Sequence, residues 1–148
     1  MSDASILEIV DIFQDLNPDQ LNLIYNICYE KVCSRGTVIV KENTPTTEMY
    51  VILEGQMEVL IGIDRDGHPK EKRVALLESG QSFGEVALVD QGLRSATVRC
   101  AAETCRLFEI SRADLLKLLK EHTDIGFIVM FNLASDLCLK FRNATARL

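Results

Sequence analysis

The chain has 148 residues, 47% of them apolar and 26% charged, the length and mixture of one globular domain. Asp and Glu number 22 against 16 Lys and Arg, so the net charge is −6, which argues against a nucleic-acid binder with its basic footprint. No apolar run reaches spanning length, and the start, Met1-Ser2-Asp3-Ala4, lacks the basic and apolar regions of a signal peptide; a cytoplasmic protein with no membrane segment is expected.

Five cysteines, Cys28, Cys33, Cys100, Cys105 and Cys138, form an odd set that suits reduced thiols. Their Cys-x4-Cys spacings miss the usual zinc patterns, so they read as small buried hydrophobes and no metal is expected.

In chain order, Ser5-Ile6-Leu7-Glu8 has capping-box spacing and opens an amphipathic stretch to Leu16. Asn17-Pro18 reads as an N-cap with proline at the first helical position, followed by Leu21, Ile24, Tyr25 and Cys28 at helical spacing. From Lys31 to Ser111 the period changes to two. Val38 and Val40 alternate with their neighbours. Glu48–Leu53 is strand-like, Glu54-Gly55 reads as a tight turn and Gln56–Ile63 as the return strand, which predicts a β-hairpin. Residues 64–69 are a polar turn before a strand at Arg73–Leu77. Strands at Leu93–Ala101 and Thr104–Ile110 complete the run. Short strands with frequent turns predict an all-β roll or barrel.

Ser111 caps a further helix, and after His122-Thr123-Asp124 a longer one runs to the end. In it Phe127, Met130, Ala134, Leu137, Phe141, Ala144 and Leu148 follow a heptad register, while Ile128, Val129, Phe131 and Leu133 add apolar surface elsewhere. A helix apolar on two sides needs two partners. One side fits the β-roll; the other is expected to meet a second copy, in a homodimer through Phe127, Met130, Ala134, Leu137 and Phe141. Burial within its own domain is the competing reading. Lys140, Arg142 and Arg147 read as a solvated or partner-facing surface.

The stretch that carries chemistry is Gly80–Val98. A glycine turn leads into about one helical turn, and an arginine then leads a strand. A helix start offers unpaired N–H groups and partial positive charge, so amides near Ala87 and Leu88 suit a phosphate. Gly84 lets backbone approach a ligand. Arg94 can fork onto phosphate oxygens. Glu85 is out of place beside an anion unless it accepts from a hydroxyl, as acidic residues do from ribose in dinucleotide folds. Together these describe a nucleotide pocket. A plain Glu85–Arg94 salt bridge fixing a loop is the competing reading.

Phe83-Gly84-Glu85-Val86-Ala87-Leu88 and Arg94-Ser95-Ala96-Thr97-Val98 resemble the phosphate-binding cassette of the cyclic nucleotide-binding domain family, with the spacer found in protein kinase regulatory subunits. Ile12–Leu16, Gly36–Ile39, Tyr50–Gly55 and Phe108–Ser111 extend the likeness over residues 10–120. The resemblance implies an eight-stranded jelly-roll β-roll, mainly β with flanking helices, N-terminal helices before it and a C-terminal hinge or lid helix after it. One domain over 1–148 is expected: helices to about residue 30, the roll over 31–111 with the cassette at 83–98, and helices over 112–148.

The resemblance further implies that cyclic AMP or cyclic GMP binds inside the roll as a ligand, with no cofactor. Glu85 then takes the ribose, Arg94 the phosphate, and Gly84 with the Ala87 and Leu88 amides completes the cassette. Phe83, Val86 and Ala96 belong to the same motif, Ser95 is placed to touch phosphate or guanine, and Val74 to line the apolar wall. Where the family often has Glu-Gly-Asp, this chain has Glu42-Asn43-Thr44; asparagine tolerates positive φ, and the turn is expected to lie apart from the pocket. No helix-turn-helix follows the roll, so DNA binding in the manner of the catabolite activator is not expected.

Three functions follow for comparison. The first is a non-catalytic sensor whose ligand moves the C-terminal helix and resets a dimer or an effector interface. The second is an interaction module with an unused pocket. The third is a jelly-roll enzyme, disfavoured because His68 and His122 are too few for a metal cluster. Asp64-Arg65-Asp66-Gly67 lacks the further acids of a calcium loop.

Overall fold

The computed structural model describes residues 3–146. Two four-stranded antiparallel sheets face each other, flanked by helices, as a jelly roll. The strands are β1 (Cys28–Ser34), β2 (Val38–Val40), β3 (Met49–Glu54), β4 (Gln56–Arg65), β5 (His68–Glu78), β6 (Ser82–Phe83), β7 (Thr97–Cys100) and β8 (Thr104–Ile110). The inner sheet has the order β1-β8-β3-β6 and the outer sheet β2-β7-β4-β5. The helices are α1 (Pro18–Tyr25), α2 (Arg112–Glu121) and α3 (Thr123–Thr145).

The inner sheet is covered on both faces, and its strands show why. Met49, Val51 and Leu53 of β3 and Phe108 and Ile110 of β8 pack with the helices. The alternate residues Tyr50, Ile52, Cys105 and Leu107 fill the space between the sheets. A strand covered on both faces reads as a continuous apolar run, as Tyr50-Val51-Ile52-Leu53 does.

The expected hairpin of β3 with β4 does not form. β3 pairs with β6 and β8, whereas β4 pairs with β5 and β7, so the chain crosses between sheets at Gly55. The hairpin is instead β4–β5. Arg65 pairs with His68 across Asp66 (φ 57°) and Gly67 (φ 76°), a two-residue turn with both central φ values positive. Strand β5 therefore starts at His68, and Pro69 is accommodated because β5 is an edge strand.

The opening segment is also a correction. Residues Asp3–Ile9 and Asp11–Phe13 form 3-10 helices, not an α-helix. Buried Leu7, Val10, Phe13 and Leu16 recur every three residues, and successive members are linked by backbone bonds from residue i+3 to residue i. A three-residue repeat eclipses side chains on one line, which is what a 3-10 turn presents. The Asn17 cap forms as the sequence predicts, and Gln20 completes it with a reciprocal bond, but α1 ends at Tyr25 and Cys28 already belongs to β1. Ser111 caps α2 by accepting from the Asp114 amide.

In α3, Ile125, Val129 and Leu133, four residues apart, face the core, and Asn132 donates to the carbonyls of Ile12 and Gln14. The expected heptad stripe is split. Met130 and Leu137 are half-buried, Ala134 and Ala144 are exposed, and Phe127 (69% exposed) and Phe141 (72%) face outward with Phe131. Leu148, like Met1, Ser2 and Arg147, lies outside the described residues. No helix among them is long and apolar enough to cross a membrane.

Candidate functional site

After β6 the chain turns at Gly84, with φ at 83°. A Cβ there would lie 2.7 Å from the Glu48 carbonyl oxygen and 3.0 Å from Arg94 Nη1, so both the backbone angle and the space require glycine. A single 3-10 turn follows, Glu85–Leu88. The Ala87 amide, expected to be free, donates to the Gly84 carbonyl across 3.3 Å and closes this turn. From α2, Arg112 Nε donates to the Ala87 carbonyl at 2.9 Å. Behind the turn Phe83 stacks on Tyr50, ring centres 5.0 Å apart. The Tyr50 hydroxyl donates to Glu109, and burial together with that carboxylate raises its pKa.

Arg94 is 8% exposed and is held from several sides. Its Nε donates to Thr46 Oγ1 at 3.0 Å and its Nη2 to the Glu48 carbonyl at 2.6 Å, while Nη1 lies 3.4 Å from the Gly84 carbonyl. The Glu48 carboxylate is 3.8 Å away. Burial pulls the guanidinium below its ordinary pKa, opposed by Tyr50 and Glu48. Arginine stays charged even so, so the site holds a desolvated cation with donors beyond those already engaged.

The Glu42-Asn43-Thr44 turn does not line the cavity, as expected, but its backbone holds that of Arg94. Asn43 takes φ 65°, its amide donates to the Arg94 carbonyl at 2.8 Å, and the Arg94 amide donates to the Thr44 carbonyl at 2.8 Å. Asparagine supplies the positive φ that the resemblance assigns to glycine.

Glu85 is 7% exposed. Its Oε2 has no hydrogen-bond partner among the described residues. Its Oε1 lies 3.9 Å from Lys140 Nζ, which is also 3.0 Å from Asp136. Burial works against the Lys140 charge, but the Asp136 bond and the Glu85 and Asp136 charges outweigh it and hold this lysine above its ordinary value.

These groups surround a cavity of about 390 Å³, within the range of small-molecule sites. The outer sheet gives it an apolar wall of Val40, Val59, Leu77 and Val98. Of the residues singled out in the sequence, Phe83, Gly84, Glu85, Val86, Ala87, Arg94, Ser95 and Ala96 meet there. Leu88 does not; its side chain is buried in the helical core and anchors the turn. Val74 does not either, being 49% exposed. Val59 pairs with Ala75 and Leu60 with Arg73, so Val74 is the extra residue of a bulge, and Leu77 takes the wall position. Sequence reasoning missed Thr46 and Glu48, which carry no motif signal, and read Lys140 as part of a solvated or partner-facing surface, whereas it reaches the cavity.

Residues 30–122 match the family model described as cyclic nucleotide-binding domain. The chain belongs to the cyclic nucleotide-binding domain family. It is 30% identical over 112 residues to the cAMP-dependent protein kinase regulatory subunit of Blastocladiella emersonii, covering 76% of this chain and 27% of that protein. It is 31% identical over 122 residues to a protein of Rhodopseudomonas palustris named as a potassium channel protein, covering 82% and 28%. The chain thus spans less than a third of these two relatives. Among solved structures, the Thermus thermophilus catabolite activator protein superposes with a TM-score of 0.79 at 26% identity, covering 93% of this chain and 61% of that one. In this cyclic nucleotide-binding domain, Gly84, Glu85 and Arg94 line one cavity of an eight-stranded roll.

Proposed function

We propose that this domain is a cyclic-nucleotide sensor, binding cyclic AMP or cyclic GMP in the cavity between the cassette and the outer sheet. The observation that carries the reading is the buried Glu85 Oε2 with no partner among the described residues, set in the same cavity as the buried Arg94. A ribose hydroxyl donates to the first and a cyclic phosphate accepts from the second. Val40, Val59, Leu77 and Val98 receive the apolar face of the base or sugar.

Two paths lead from the ligand to the C-terminal helices. A hydroxyl on Glu85 competes with the Lys140 contact from α3, and a shift of the 3-10 turn is felt by Arg112 of α2 and by the core through Leu88. Such coupling requires that the ligand bind two helix positions with different affinity. The outward phenyl rings of Phe127, Phe131 and Phe141 favour a second element of the reading, a homodimer or effector surface reset by that shift. The five thiols suit a cytoplasmic setting.

Calorimetric titration of nucleotide-stripped protein with cyclic AMP, and with cyclic GMP as comparator, tests the binding. Micromolar or tighter affinity is expected, about −8 kcal/mol or better, lost in Arg94→Ala. No heat with either nucleotide would leave the alternative, an interaction module acting through α3 with its pocket unused.

A further inference from the structure

Between the two sheets of the roll, three of the five cysteines converge. Cys33 of β1 stands directly opposite Cys105 of β8 in the strand register, and Cys100 closes β7 of the other sheet. Their sulfur atoms all lie within 4.8 Å of one another. Cys100 and Cys105 are sealed from solvent and Cys33 keeps 9% of its surface exposed. The cluster therefore bridges the two sheets, and Cys33 is its most exposed member.

We propose that Cys33, Cys100 and Cys105 form a three-thiolate site for a soft trivalent ion of the arsenite type. Bonds of about 2.3 Å to sulfur, as zinc makes, place three sulfurs about 3.4 Å apart around a pyramidal centre, a modest contraction from the 4.8 Å within which they already lie. Soft thiolates select soft ions over hard ones. Charge then narrows the choice. The surroundings are the apolar core of the roll, Met57, Val98 and Leu107 among them. An uncompensated charge is costly there. A trivalent ion cancels three thiolates; a divalent or monovalent one leaves a net negative site. Coordination number points the same way. Zinc wants four ligands, whereas three sulfurs and a lone pair satisfy trivalent arsenic.

Arsenious acid reacts with the neutral thiols, proton and hydroxide leaving together. Each S–H proton departs with one arsenic-bound hydroxyl as water, three As–O bonds give way to three As–S bonds, and arsenic stays trivalent throughout. In the empty site the thiols of Cys100 and Cys105 donate to the carbonyls of Ala102 and Gln56, bonds that such a reaction gives up.

The test is titration of the reduced protein with sodium arsenite, with zinc as comparator, followed by thermal unfolding, by counting reactive thiols after denaturation and by X-ray absorption at the arsenic edge. One arsenic per chain, three sulfur neighbours, a raised Tm and weaker zinc binding are expected. Cys33→Ser and Cys105→Ala should each lower arsenite affinity more than about 10-fold, whereas Cys28→Ala with Cys138→Ala should not. Cyclic-nucleotide-independent far-ultraviolet dichroism checks that each variant is folded. Two sulfur neighbours plus oxygen in the parent protein, or affinity unchanged in both cluster variants, overturns the assignment. Neither result bears on the nucleotide reading.

Discussion

Replacing Glu85 with alanine is expected to weaken the nucleotide while leaving the free domain nearly as stable as before, or more so. In the free protein Oε2 is a buried acceptor with no partner among the described residues, and leaving such a group unsatisfied costs about 1–3 kcal/mol. Alanine removes that penalty. Against it stand one lost methylene, about 0.8 kcal/mol, and the 3.9 Å contact to the largely exposed Lys140, worth about 0–1 kcal/mol. The balance lies between about 1 kcal/mol of destabilisation and about 2 kcal/mol of stabilisation. A comparable truncation in an apolar core costs about 2–5 kcal/mol. In the complex the change removes a hydrogen bond to a charged group, about 1.5–3 kcal/mol, or a 10- to 150-fold loss of affinity by about 1.4 kcal/mol per decade. Urea unfolding gives the first quantity and calorimetry the second. A destabilised variant with unchanged affinity would refute the reasoning and make Glu85 a structural residue.

Gly84→Ala should destabilise the fold by at least about 1–2 kcal/mol, the cost of a left-handed non-glycine residue, because the new Cβ also meets the Glu48 carbonyl; a neutral urea midpoint would contradict this. On α3, Leu133→Ala should cost about 2–5 kcal/mol, whereas Phe131→Ala, on the outward face, should stay within about 0.5 kcal/mol; equal effects would misplace the helix. Burial pushes the thiols of Cys28 and Cys33 from 9.0 up to about 12. The unfolded chain therefore releases these protons first, and stability, fully present below pH 9, should fall between about pH 9 and pH 12. Denaturation midpoints that stay level through that window would count against the burial of both groups.

What could be read from the sequence was local, and what could not depended on distant partners. The Asn17 and Ser111 caps need only residues three positions on, and both form. Gly84, Glu85 and Arg94 were recognisable because their spacing is a motif in its own right. The β3–β4 hairpin failed because a Glu-Gly turn between two apolar runs looks the same whether the runs share a sheet or face each other across one. Leu7, Val10, Phe13 and Leu16 fit a 3.6-residue period loosely and a period of three closely, and only the surface they pack on separates the two. Val74 was displaced by a bulge that no residue type announces. Thr46, Glu48 and Asn43 reach Arg94 across some fifty residues, a relation invisible along the chain.

The wiring of the two sheets also sets how the chain reaches this state. Among the described strands, β4 and β5 are the consecutive pair that bond to each other, and their turn can close early and locally. β1 has to wait for β8: Cys28 finds Ile110 and Ser34 finds Thr104. Closing such long loops before any contact rewards them makes for slow folding. During synthesis the first strand leaves the ribosome long before its partner exists, with Tyr29 and Val32 in the open. The hairpin, the least buried part of the roll, is then the natural starting point, and the nucleotide cavity among the last features to close.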